Sequence, residues 1–142
     1  MISAVVYSAE YKRVSAYNLL QGSVAIWSAE SGKRLYTIQI RKNPNGKVPN
    51  GPNVMSSSQD GNMLVVSSEN NIYVIDVATG KVITTLANQS DKPYISPDGQ
   101  RLALVSDSEI IITDIHGEEW KDASKWGIDM PKQLRLLRTD ES

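Results

Sequence analysis

The chain has 142 residues, close to the commonest size of a single domain, and its 15 Lys and Arg are matched by 16 Asp and Glu spread along its length. That balance excludes the basic field that draws nucleic acid, and no window approaches the roughly 20 apolar residues of a membrane helix, so neither nucleic acid nor membrane is an expected partner. Cysteine is absent, which excludes disulfides, thiolate chemistry and cysteine-based zinc sites.

The first ten residues, from Met1 to Glu10, have no basic start, and an acid breaks their apolar run too early for a signal peptide. The cytoplasm is the default compartment on that reading. Phe is missing, and Val and Ile supply much of the apolar remainder, a bias that favours pleated surfaces over helices.

In chain order, residues 1–40 form a first unit. Val24-Ala25-Ile26-Trp27 reads as a strand, Glu30-Ser31-Gly32-Lys33 as a turn, and Leu35-Tyr36-Thr37-Ile38 as a second strand. Residues 41–53 follow as a loop rich in Pro, Gly and Asn, with no regular structure expected.

Residues 54–90 make the clearest unit. Ser58-Gln59-Asp60-Gly61 is a hairpin signal, because Gly tolerates the positive φ that tight strand connections need. Met63-Leu64-Val65-Val66, Ile72 to Val77 and Val82 to Leu86 then read as three strands, separated by Ser67–Asn71 and by Ala78-Thr79-Gly80-Lys81. These apolar runs are nearly continuous rather than alternating, so both faces of the strands are expected to be covered.

Residues 91–122 repeat the pattern. Ser96-Pro97-Asp98-Gly99 lies 38 positions after Ser58-Gln59-Asp60-Gly61, and Ile110 to Ile115 falls on Ile72 to Val77. The turn His116-Gly117 is shorter, and the strand expected around Trp120 is weak. The first unit matches with an offset of 50 at Ser8 and 48 at Val24, which places a two-residue insertion between Leu19 and Ser23. Glu10-Tyr11 replaces Asp-Gly there, so its hairpin needs another turn. Residues 123–142 form a tail that holds Trp126, Pro131 and Leu134-Arg135-Leu136-Leu137-Arg138 and is expected to be a short helix, which Pro131 could open, or a capping strand.

A period in the range of about 20 to 50 residues marks a chain of stacked supersecondary units. The residues that carry it, Ser58-Gln59-Asp60-Gly61, Ile75-Asp76-Val77-Ala78-Thr79-Gly80-Lys81 and Ser96-Pro97-Asp98-Gly99, resemble β-propeller repeats of the WD-repeat and YVTN type, over residues 4 to 121. Trp27-Ser28 stands where that family has Trp-Asp. The resemblance implies an all-β fold of about three four-stranded antiparallel blades. The sole histidine, His116, sits in a turn, so no unit can build the buried His network of WD repeats; the pattern is closer to YVTN blades.

Candidate chemistry is sparse. Asp60-Gly61 and Asp98-Gly99 lack the alternating oxygen ligands and terminal bidentate acid of a calcium loop, and read as turns. His116 stands alone, so no triad or metal site is read around it. Asp76 and Asp114 occupy equivalent repeat positions, which favours a turn-bracing role over a glycosidase pair. Gly46-Lys47 is followed by Val48, not by the Ser or Thr of a phosphate loop. Neither a catalytic residue, a metal nor a cofactor is therefore expected. Trp120 and Trp126 are candidate partner contacts, since Trp is enriched at interface hot spots.

Propellers typically carry about four to eight blades. Three units leave two open sheet faces, and uncapped repeat ends are sticky. The expected function is a non-catalytic protein-interaction or scaffolding module, completed by a homodimer or by a partner chain. The alternatives are an enzyme or small-ligand sensor with its site on the assembled axis, and a fragment of a longer propeller.

Overall fold

The computed structural model describes residues 2–41, 46–49, 53–87, 91–107, 110–115 and 135–136. Among these residues every regular element is a strand. The strands are β1 (Ile2–Ser8), β2 (Arg13–Asn18), β3 (Ser23–Ser28) and β4 (Arg34–Gln39) in a first blade. A second blade holds β5 (Met55–Ser57), β6 (Met63–Ser68), β7 (Asn71–Asp76) and β8 (Lys81–Leu86). The third holds β9 (Lys92–Ile95), β10 (Arg101–Val105), β11 (Ile110–Asp114) and β12 (Arg135–Leu136). Each blade is one antiparallel meander in which sequential strands pair. The all-β fold of three four-stranded antiparallel blades is thus as the repeat implies. The partner of β11, however, comes from the tail: Arg135–Leu136 is a strand, not a helix, and pairs with Ile110 and Ile111. The segment around Trp120, expected to supply that strand, lies outside the described residues, as does Pro131.

The hairpins show why these sequences turn where they do. β6 and β7 are joined by Glu69 and Asn70 alone, both at positive φ (53° and 60°), the backbone of a type I′ turn whose twist matches that of the strands. In the first blade the same connection holds four residues, Leu19 to Gly22, closed by Gly22 N–H donating to Asn18 O at 2.9 Å. The two-residue insertion read from the repeat offset is this turn. Glu10-Tyr11 belongs to a turn that ends on Lys12 at φ 53° and is fastened by the Ser8 hydroxyl, which accepts from Tyr11 N–H at 3.2 Å.

Two cores separate the three blades. Tyr17, Val24, Ile26 and Ile38 of the first blade pack against Leu64, Val66, Ile75 and Val77 of the second. On the opposite side of the second blade, Val65, Ile72 and Val74 pack against Ile95, Leu102 and Leu104 of the third. Alternation along β6 sends Leu64 and Val66 one way and Val65 the other, and all three are fully buried. The apolar runs of β6 and β7 are therefore covered on both faces, as expected, whereas the outer strand β8, expected to be covered likewise, is partly exposed, with Val82 at 40%.

Candidate interaction surfaces

The Ser-x-Asp-Gly turns use one carboxylate oxygen of each Asp to close the turn. Asp60 Oδ1 accepts from the Ser58 hydroxyl at 2.6 Å and from Asn62 N–H at 3.0 Å, and the Ser58 hydroxyl oxygen accepts from Met63 N–H at 3.0 Å. Asp98, Ser96, Gln100 and Arg101 repeat this arrangement at 2.5, 3.0 and 3.0 Å. The serine hydroxyl first, and then the backbone N–H, hold both carboxyls below the usual carboxylate range. The turns also stack from blade to blade: Ser8 donates to Asp60 O at 2.6 Å, and Gln59 N–H to Pro97 O at 2.8 Å. Gly61, at φ 75°, lies so close to Ser8 that a methyl there would sit 2.9 Å from Ser8 Cα. The turn reading of these motifs is the one the geometry supports.

Asp76 braces the next turn. Its Oδ1 accepts from Ala78 N–H at 3.1 Å and from Asn62 Nδ2 at 3.2 Å. In the first blade Ser28 occupies this position, and its hydroxyl accepts from Ser31 N–H at 3.2 Å. Asp114 stands opposite Arg101 in the β10–β11 register. His116, Trp120 and Trp126 lie outside the described residues. Among the described residues no three His, Cys, Asp or Glu side chains gather as a metal site.

One residue missed by the sequence reading is Arg41, at the head of the Pro/Gly/Asn loop. Its side chain is buried; Nε lies 3.1 Å from Glu69 Oε1, and the guanidinium donates to Leu19 O at 3.2 Å and Lys47 O at 3.1 Å. It therefore clamps the loop to the β2–β3 turn of the first blade and to the β6–β7 turn of the second. A methyl on Gly22 would fall 2.5 Å from Arg41 Cβ. Beside the clamp, burial pushes the Tyr17 phenol up, opposed by the Ser68 hydroxyl.

The outward faces of the end blades are different in kind. On the first blade, cross-strand register makes two rows: Val5, Ala16, Ala25 and Thr37, and beside it Tyr7, Val14, Trp27 and Arg34. Val5 and Tyr7 are 61% and 64% exposed, and Arg34 spreads over the Trp27 ring with Cζ 5.1 Å from its centroid. The third blade presents Tyr94, Ala103 and Ile112 in one row, with Tyr94 46% exposed and the other two half-buried. No charge interrupts the row from Val5 to Thr37 or the row from Tyr94 to Ile112. The repeat offsets align these rows with second-blade rows that face a neighbouring blade and hold the buried Val65, Val66 and Val74.

No protein-family model and no curated protein sequence matches the chain. Solved structures do. The WD40 repeats of RRP9 superpose with a TM-score of 0.61 at 18% identity, over 83% of this chain and 36% of that one. Kuenenia stuttgartiensis hydrazine synthase gives 0.58 at 18% identity, over 81% and 33%. The β-propeller domain of Cps50 (Swd1) from Myceliophteria thermophila gives 0.58 at 16%, over 82% and 36%. The chain spans about a third of the length of each. One of the three is by its name an enzyme, so the fold by itself leaves catalysis open. What the likeness establishes is architecture: this chain has the fold of consecutive β-propeller blades, similar to those of WD40 repeats.

Proposed function

We propose that the chain is a non-catalytic protein-interaction module that works through its outward blade faces rather than through its turns. The observation that carries this reading is the exposure of Val5 and Tyr7, with Val5 in a cross-strand row that carries no charge. Exposed contiguous apolar surface marks association sites, and aromatic residues are favoured there. The acids of the repeat motifs are engaged in turn hydrogen bonds, so they offer no converging pair for general acid and base work. Affinity capture with the chain as bait, compared with its Tyr7→Glu variant, tests the reading. A protein bound by the parent and lost with the variant is expected. Identical capture by both would overturn the assignment to this face.

A further inference from the structure

We infer that the occupant of the first blade's outward face is the third blade of a second copy of this chain, so that two chains close one six-bladed ring through two identical junctions. The inference rests on the interaction reading above and names its partner.

The repeat supplies the argument. At an offset of 50 in β1 and β2 and 48 in β3 and β4, the row Val5, Ala16, Ala25 and Thr37 falls on Met55, Val66, Tyr73 and Thr85. That second row faces the first blade: Val66 is fully buried, and Met55 and Tyr73 pack on the same core. What covers it is the opposite side of the preceding blade, where Val6, Ser15, Ile26 and Tyr36 form a row. The equivalent row in the second blade is Ser56, Val65, Val74 and Thr84, facing the third. At an offset of 38 it becomes Tyr94, Ala103 and Ile112 in the third blade.

Among the described residues one face of each type is therefore unmatched. At both internal junctions, a face of the Tyr94 type lies on a face of the Val5 type. A partner that repeats those junctions on the Val5 face would present a blade side of the Tyr94 type, and the described residues of the chain hold one. Both rows are free of charge, with Arg34 flanking the first and Lys92 and Arg101 flanking the second. The junction is heterologous, and a heterologous contact yields either a ring or an open filament. Two chains contribute six blades, within the range of about four to eight at which propellers close.

The test uses the full 142-residue chain, which has no native cysteine. Its mass in solution, followed by sedimentation over a dilution series, is expected to be twice 15.7 kDa. Val5→Glu and Tyr94→Glu alter exposed side chains and should leave the circular dichroism unchanged, yet each should weaken dimerisation by about 30-fold or more. A short bis-maleimide should cross-link an equimolar mixture of Val5→Cys and Tyr94→Cys chains, and neither variant with itself. A monomer at micromolar concentration would overturn the inference. So would cross-linking of Val5→Cys with itself, which indicates an isologous contact. A monomer that still captures another protein through Tyr7 would sink the ring and leave the interaction reading standing. Loss of both would sink both.

Discussion

The first and second blades are built from the same repeat positions, yet one side of each has a different fate. Leu64 is fully buried against the first blade, while its equivalent Val14 is only half-buried on an outward face where Val5 is 61% exposed and the small Ala16 alone is covered. Residue type hardly distinguishes the two sides, since both are apolar. The difference is the presence of a neighbouring sheet. Burial in a repeat fold belongs to the junction, and a sequence that encodes blade faces encodes a requirement for neighbours.

The largest expected effect comes from breaking the buried side. Leu64→Ala removes a side chain from the core between the blades and should cost about 3 kcal/mol in chemical denaturation. Val14→Ala, at the equivalent position, should cost well under about 1 kcal/mol in a monomer. If both cost alike, the outward face is covered in solution. Next in size is the Arg41 clamp: Arg41→Ala leaves the Leu19 and Lys47 carbonyls without their buried donor and should destabilise by about 2 kcal/mol. Lys at that position, lacking the planar fork, should restore only part of this.

Gly61→Ala tests how tightly the turns stack. Positive φ and the approach to Ser8 together should cost about 1 to 2 kcal/mol, whereas Gly32→Ala, at φ 74° with open space around it, pays only the backbone penalty of about 1 kcal/mol. Smallest is the acid limb. The Asp60 and Asp98 carboxyls titrate lower in the folded chain than unfolded, so the stability they contribute is present above the unfolded value of about 3.9 and lost as pH falls through the folded one. Thermal midpoints should fall below about pH 4, and less steeply in an Asp60→Asn, Asp98→Asn double variant.

Much of the architecture was legible because it recurs in phase. Ser58-Gln59-Asp60-Gly61 and its copy at Ser96 give the hairpins, and the offset change from 50 to 48 locates the longer β2–β3 turn. Other parts were not. Glu69-Asn70 makes a type I′ turn without the Asn-Gly signature, and its left-handed Glu69 is held by an ion pair from Arg41, 28 positions away in the sequence. Arg41 reads as an ordinary loop cation, because its burial depends on two turns from different blades. The outermost strand of the third blade, Arg135–Leu136, has no repeat counterpart, so the sequence left its tail open between a short helix and a capping strand. The outward rows were present in the repeat register but silent, since exposure is set by what is absent beside them.

The stacking of Ser8 on Asp60 joins residues 52 positions apart, whereas the strand pairings within a blade, β11 with β12 excepted, close hairpins of a few residues. Loop closure for the hairpins is entropically cheap and fast, and for the junctions it is slower. Folding in such a chain is then a matter of assembling blades that have already met their own strands. The central blade, with a neighbour on each side, gains from two dockings and the end blades from one. Each end blade of a lone chain can therefore fray without disturbing the other, and such a chain is held together from the middle outward.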